Sequence, residues 1–93
     1  MEITFDPNKN IRNIRERGIP FTDAARFDFE TASFGTDSRY DYGERRHVAI
    51  GYLGNRLHVL CFVETDTGIR VISFRKANAR EAKRHGKQKT IDG

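Results

Sequence analysis

Three strand-forming runs follow one another in the second half of the chain, and they constrain the fold more than any other feature. Arg46–Leu53 and Arg56–Glu64 flank Gly54-Asn55, a two-residue connection suited to a tight hairpin. A polar turn at residues 65–68 leads into the third run, residues 69–76. The pattern predicts an antiparallel meander.

The segment at the start of the chain predicts a short strand followed by a helix. Glu2–Phe5 alternates polar and apolar side chains, and Asp6-Pro7 provides a helix cap and the proline favoured at the first helical position. Ile11 and Ile14 share one face of this helix, and Gly18 is a natural C-terminal stop.

A second helix is predicted to begin near residues 20–22, so that the two helices form a hairpin on one face of the sheet. The apolar residues that it would bury at helical spacing are Phe21, Ala24, Ala25 and Phe29. Residues 31–34 predict another short strand, and residues 35–43 predict a polar loop.

A capping-box pattern predicts a short helix near the C-terminus. Asn78 is followed three residues later by Glu81, and this helix should end by His85-Gly86. Residues 87–93 are expected to fray. The order of the elements predicts an α+β fold, an antiparallel sheet with helices mainly on one face, in a single domain over residues 1–86.

Length and charge restrict the kind of function. A chain of 93 residues allows one core, so any chemistry is expected in a shallow groove on the surface. From Arg70 to Lys89 there are eight basic side chains and one acidic one, whereas residues 1–69 hold nine basic and eleven acidic ones. This basic stretch favours a polyanionic partner, although a solvated basic helix without a partner has the same composition.

The remaining composition is typical of a cytoplasmic protein. Cys61 is the single cysteine, so no disulfide forms within the chain, and neither a signal peptide nor a membrane span is expected. The sequence has no phosphate-binding glycine loop, HExxH or CxxC motif, and its three histidines are far apart. We therefore expect neither a metal nor another cofactor.

Cleavage of RNA without a metal needs a base for the 2′-hydroxyl, a proton donor for the leaving oxygen, and cations near the phosphate. His85 lies among cations that favour its neutral, basic form, and His47 opens a strand where it is either a proton carrier or a structural residue. Arg46 and Arg75 suit a phosphate clamp or, equally, surface ion pairs with Glu44 and Glu64.

Aromatic residues of the predicted loop have two interpretations. Tyr40 and Tyr42 either stack on unpaired bases or pack back over the sheet.

Four segments together resemble the BrnT toxins of bacterial type II toxin-antitoxin systems, over nearly the whole chain. They are Phe5-Asp6-Pro7-Asn8-Lys9 leading to Gly18-Ile19, then Phe21-Thr22-Asp23-Ala24-Ala25, then residues 44–46 with Val48-Ala49-Ile50-Gly51, and finally residues 70–77. The resemblance implies a fold like that of the RelE ribonuclease toxins and a ribonuclease activity that blocks translation. It also implies a BrnA-like antitoxin with a ribbon-helix-helix domain, through which alone the toxin would reach DNA.

Individual residues of this chain can be compared with single positions of the family motif. The positions that match are Arg46, Arg70, Ser73, Arg75 and Arg80. Three positions depart from it: His47 replaces the usual Trp or Phe, His85 a common tyrosine, and Pro20 the usual Ser or Thr cap.

Two functions follow as hypotheses. The first is a metal-independent endoribonuclease toxin whose catalytic residues are His85, Arg75, Arg46 and His47 and whose RNA-binding residues are Arg70, Ser73, Lys76, Arg80, Lys83 and Arg84. The second is a weak or inactive module that acts with its antitoxin in transcriptional autorepression.

Overall fold

A sheet of five strands forms the frame of the computed structural model, which describes residues 1–37 and 43–91. The strands are β1 (Glu2–Phe5), β2 (Ser33–Asp37), β3 (Arg46–Leu53), β4 (Arg56–Glu64) and β5 (Gly68–Lys76). Their order across the sheet is β1-β5-β4-β3-β2, with β1 parallel to β5 and the other pairs antiparallel. The predicted meander and the predicted α+β class are confirmed. Strand β2 extends three residues into the predicted loop.

Helix α1 (Pro7–Arg17) begins and ends where its sequence signals predict. The Asp6 carboxylate accepts a hydrogen bond of 2.9 Å from the backbone of Asn8. Gly18 has a φ of 70° and donates its N–H to the carbonyl of Ile14. Both ends are therefore satisfied by local interactions.

The second helix begins at Phe21, as predicted, but the segment Phe21–Arg26 is a 3₁₀ helix, so the α-helical spacing expected for it is wrong. Three residues per turn bring Phe21, Ala24 and Phe27 onto one buried face and leave Ala25 exposed. Phe29 is half-buried and packs against the same core. The pair of helices predicted as a hairpin is thus an α-helix followed by one short 3₁₀ helix.

Helix α1 turns asparagines, not its isoleucines, toward the protein. Ile11 is 53% exposed and Ile14 is 43% exposed, whereas Asn13 is 5% exposed. The Asn13 amide donates to the carbonyls of Ile19 at 2.8 Å and Phe74 at 2.9 Å. The face that Ile11 and Ile14 share is therefore exposed, and α1 is held by Asn13, which donates to the Phe74 carbonyl of β5 beyond the end of β1.

Two apolar clusters lie on opposite faces of the sheet. The larger one packs the 3₁₀ helix on the face that carries Ala49, Leu60 and Phe74. The smaller one packs Ala82 of helix α2 (Ala79–Arg84) against Ile50, Leu57 and Val59. Helices therefore cover both faces, and the expectation that they lie mainly on one face is wrong.

A bulge in β5 changes which residues share a face. Phe62 pairs with Val71 and Cys61 pairs with Ser73, so that Ile72 is an extra residue. As a result Ile69, Val71 and Phe74 are buried in one cluster, although strict alternation would separate Phe74 from the other two.

The capping box of α2 is confirmed, and the chain beyond it runs back along β4. Asn78 accepts from the backbone of Glu81, whose carboxylate accepts in turn from the backbone of Asn78. Leu57 donates its N–H to Lys89 at 2.8 Å, and Ile91 donates to Asn55 at 2.8 Å. The fraying expected for residues 87–93 concerns motion and stays a prediction.

Candidate functional site

A groove of about 390 Å³ lies on the face of the sheet that carries α2. Its floor is apolar and is made by Val48, Ile50 and Val59 on adjacent strands. Edge strand β2 forms one wall, and the end of β5 with α2 forms the other. The polar side chains of that second wall are Arg75, Glu81, Arg84 and His85.

Arg75 and Glu81 form a two-armed ion pair at this wall. The Arg75 Nη1 and Nη2 atoms donate to the two Glu81 carboxylate oxygens at 2.8 and 2.7 Å. Hydrogen bonding from Arg75 lowers the pKa of Glu81 from its ordinary 4.5 to about 2, and the same pair raises the pKa of Arg75. Glu81 is thereby a poor proton acceptor near neutral pH, and Arg75 is held rigidly in place.

Arg84 and His85 are the exposed polar groups at the same wall. Arg84 is the last residue of α2, and His85 is the C-cap, with its N–H bonded to the Glu81 carbonyl at 3.2 Å. Helix α2 therefore places a cation next to an imidazole at the mouth of the groove. Of the predicted catalytic and RNA-binding residues, these two line the groove and are exposed to solvent.

Arg46 and Arg70 meet at a different part of the sheet, around Glu44. Arg70 Nη2 donates to both Glu44 oxygens at 2.7 and 2.8 Å, and Arg46 Nε lies 3.9 Å from Oε1. The ion-pair interpretation of Arg46 is confirmed. Arg75 also forms an ion pair, but with Glu81, because the turn into α2 brings that residue closer than Glu64.

His47 lies on the opposite face of the sheet from the groove. Its ring stacks on Phe62 with centroids 5.3 Å apart, and Phe62 belongs to the larger core cluster. Its Nε2 atom is 3.4 Å from a Glu64 oxygen. The structure does not bring His47 together with His85, because neighbouring residues of a strand alternate between faces.

The other predicted RNA-binding residues do not line the groove. Arg80 and Lys83 are exposed on α2. Lys76 lines a separate cavity with Arg17 and Arg75, and Ser73 lines a third one beside α1. Tyr40 and Tyr42 lie outside the described residues.

Some residues of the groove are absent from the sequence-based set. Asp37 on β2 lines the groove. Phe34 of the same strand is 56% exposed, but it pairs with Ala49, so its side chain points to the opposite face of the sheet. The capping pattern identified Glu81, but its contact with Arg75 depends on how α2 folds back onto β5.

Histidine and acidic residues are dispersed in the described structure. Within residues 1–37 and 43–91, no three His, Cys, Asp or Glu side chains stand close enough to hold a metal ion. His58 is buried, and its Nδ1–H donates to the Arg56 carbonyl at 2.7 Å. Burial lowers the pKa of His58, so this ring is a neutral structural group. No helix in the same ranges is long and apolar enough to cross a membrane.

The fold and the groove define a small α+β protein that offers an extended ligand a shallow surface site between strand β2 and the basic helix α2. Over residues 5–81 the chain matches the family model described as "Ribonuclease toxin, BrnT, of type II toxin-antitoxin system", and it belongs to that family. Membership implies RNA as the substrate and an antitoxin as the partner. No curated protein matches the chain.

Proposed function

We propose that this protein is a metal-independent endoribonuclease toxin that inhibits translation by cleaving RNA in the groove beside α2. The observation that carries the proposal is the placement of His85 and Arg84 together at the open mouth of that groove, next to the fixed Arg75. Its fold is proposed to be RelE-like, and the cytoplasm is its proposed location.

The groove offers the parts of a transesterification. His85 accepts the proton of a 2′-hydroxyl, and the 2′-oxygen attacks the neighbouring phosphorus. Arg84 stabilises the negative charge that develops on the phosphate oxygens. The bond between phosphorus and the 5′-oxygen then breaks, and that oxygen takes a proton from water, which leaves a 2′,3′-cyclic phosphate on one fragment and a 5′-hydroxyl on the other. His85 returns its proton to water. Arg75 supports this site mainly by position, since its two terminal nitrogens already bind Glu81.

The groove can bind bases as well as phosphate. Its floor of Val48, Ile50 and Val59 gives an unpaired base an apolar surface. Such a surface does not discriminate between bases, which suits single-stranded RNA.

A second candidate function is the weak or inactive module that acts with an antitoxin in autorepression. The neutralised Arg75 favours it, because an arginine engaged at both arms by a carboxylate has to exchange that partner before it clamps a phosphate. In either function the proposed partner is a BrnA-like ribbon-helix-helix antitoxin. We propose that it covers the groove, and a complex that leaves the groove open would contradict this.

The test is cleavage of purified RNA in EDTA by wild type, His85→Ala and His47→Ala. Both histidines lie next to an arginine in the chain, but on different faces of the sheet, so each is the control for the other. Loss of cleavage in His85→Ala alone, with a cyclic phosphate on the product of the wild type, supports the groove. Loss in His47→Ala alone places the site on the other face.

A growth assay separates the two candidate functions. Arrest of cells that express the protein alone supports the toxin, provided that His85→Ala relieves the arrest at equal protein level. Normal growth with folded protein, together with no cleavage in EDTA, supports the inactive module. Cleavage that appears only when a divalent metal is added contradicts metal independence.

A further inference from the structure

We propose that the RNA path leaves the groove across the edge of β5 and continues along α1, where Lys9, Arg12 and Arg17 bind backbone phosphates. The inference rests on the proposed function, since it extends the footprint of the same RNA. It assigns a role to the N-terminal helix, whose charges lie outside the basic C-terminal stretch.

Three cavities form a continuous series because neighbouring ones share an arginine. Arg75 lines the groove and also a second cavity of about 260 Å³, together with Arg17 and Lys76. Arg17 lines the second cavity and a third one of about 120 Å³, with Lys9 and Arg12. A strand of RNA that leaves the groove past Arg75 therefore meets cations all the way to α1.

The arginine and carboxylate charges that line the groove cancel one another, which makes the groove alone a weak site for a polyanion. Its wall residues include two arginines, Arg75 and Arg84, and two carboxylates, Asp37 and Glu81. Apart from Arg75, whose charge Glu81 neutralises, the second cavity has two cations, Arg17 and Lys76, and no carboxylate in its lining. The third has three cations against Glu16. Phosphates are therefore attracted more strongly beside α1 than over the groove floor.

Helix α1 presents these cations as one row. Lys9, Arg12 and Glu16 recur at helical spacing on the face that lines the third cavity, and Arg17 continues that face. From Lys9 to Arg17 the helix rises about 12 Å, enough to follow more than one phosphate of an extended strand. Arg15 belongs to the same helix but lines neither cavity.

The row is also fixed relative to the groove. Asn13 joins α1 to β5 through the Phe74 carbonyl, one residue before Arg75. The other end of the same amide orients Arg17, whose Nη1 donates to Asn13 Oδ1 at 2.9 Å. Positioned cations bind with less loss of side-chain freedom than free ones, so this arrangement favours binding.

The same features favour RNA over an acidic protein as the occupant. A protein interface normally has buried apolar anchors at its centre. The exposed apolar side chains of α1 are Ile11 and Ile14, and they line neither cavity. What the cavities offer is guanidinium and ammonium groups in series, which match a phosphate backbone.

The experiment measures binding of 2′-O-methyl RNA, which lacks the attacking hydroxyl, by the Lys9→Ala/Arg12→Ala double variant at several salt concentrations. Two lengths, roughly 4 and 16 nucleotides, span the range that single-strand sites occupy. Both substituted side chains are exposed, so the variant should keep the thermal midpoint of the wild type. Arg15→Ala is the matched control on the same helix.

For the longer RNA, we expect the double variant to reduce the slope of log K against log salt by about 1.4, which is two contacts at 0.7 each. The Arg15→Ala control should show the slope of the wild type with RNA of either length. An unchanged slope in the double variant, while the wild type binds RNA, overturns the path along α1 and leaves the proposed function intact. No RNA binding by the wild type overturns both. Unchanged RNA binding with lost binding of polyglutamate makes this surface a protein site and also overturns the proposal.

Discussion

Asn13 is the single side chain on which the position of α1 depends most. It is buried, and its amide group makes three hydrogen bonds, to the Ile19 and Phe74 carbonyls and from Arg17. Asn10 adds a fourth contact nearby, because its Oδ1 accepts from the Phe21 backbone at 2.8 Å. Helix α1 has no apolar inward face, so the side chains of Asn10 and Asn13 attach it to the rest of the protein.

Replacing Asn13 with alanine should lower the free energy of unfolding by about 2 kcal/mol, because two buried carbonyls lose their donor. The matched control is Asn8→Ala, an exposed asparagine on the same helix that should change stability by less than about 0.5 kcal/mol. Denaturant unfolding of the three proteins measures both values. Equal midpoints for Asn13→Ala and the wild type would mean that α1 is held by other contacts.

Strand β3 depends on a glycine for its packing against the 3₁₀ segment. A Cβ built at Gly51 would lie 2.8 Å from the Phe27 ring and 2.9 Å from the Ala32 methyl group. Phe27 also pairs with Leu53 through an isolated bridge, so its ring has little freedom to withdraw. The close approach of this ring to the sheet is possible because position 51 has no side chain.

We therefore expect Gly51→Ala to destabilise the fold by about 1 to 3 kcal/mol, the usual effect of overpacking a core. Gly35→Ala is the control within the same sheet, since a Cβ there meets nothing within 4 Å. Thermal unfolding of the two variants should differ by several degrees. A Gly51→Ala midpoint equal to that of Gly35→Ala would show that Phe27 moves aside freely.

The segment after α2 forms hydrogen bonds with the start of β4, as a short additional strand would. Besides its two backbone hydrogen bonds with Asn55 and Leu57, its Gln88 carbonyl accepts from the Tyr52 hydroxyl at 2.8 Å. Deleting residues 87–93 should lower stability by about 2 kcal/mol, at roughly 0.5 to 1.5 kcal/mol for each lost hydrogen bond. Deletion of residues 92–93 alone serves as the control.

Amide hydrogen exchange tests the same segment in the intact protein. The Leu57 and Ile91 amides should exchange slowly if the segment stays docked. Exchange of both at the rate of an open chain, with no loss of stability on deletion, would support the fraying expected from the sequence.

Local patterns predicted the elements that depend on local contacts. The hairpin at Gly54-Asn55, the Asp6 cap with Gly18, and the capping box of Asn78 involve residues within a few positions of one another. The features that sequence did not predict depend on distant partners. The 3₁₀ helix follows the packing of every third residue into the core, and the inward face of α1 follows the carbonyls of β5.

The candidate site shows the same division. His85 and Arg84 were predicted as functional from their place on the basic helix, and the groove includes both. His47 and Arg75 were predicted from strand position, but alternation sends His47 to the other face and Glu81 neutralises Arg75. Which face a strand residue occupies, and which carboxylate reaches it, are decided by tertiary packing.

Two of the groups with a lowered pKa lie on opposite faces of the sheet, and both make the stability of the whole molecule depend on pH. On one face burial lowers the pKa of His58 below its ordinary 6.5, so the unfolded chain takes up a proton first as pH falls below 6.5. On the other face Arg75 holds the pKa of Glu81 at about 2, below its ordinary 4.5. Both shifts mean that stability is present above the ordinary pKa and is lost on acidification.

We expect unfolding experiments to show a first loss of stability as pH falls below 6.5, from His58, and a further loss between pH 4.5 and about 2, from Glu81. The Glu81 part should be about 2 kcal/mol, less than the full shift implies because the pair is partly solvated. Glu81→Gln should remove that second loss and keep the first one. Glu30→Gln, which removes an exposed carboxylate, is the control for the change in net charge. If Glu81→Gln follows the wild-type profile below pH 4.5, the Arg75 pair does not stabilise the fold, and α2 is held on the sheet by Ala82 and the docked C-terminal segment alone.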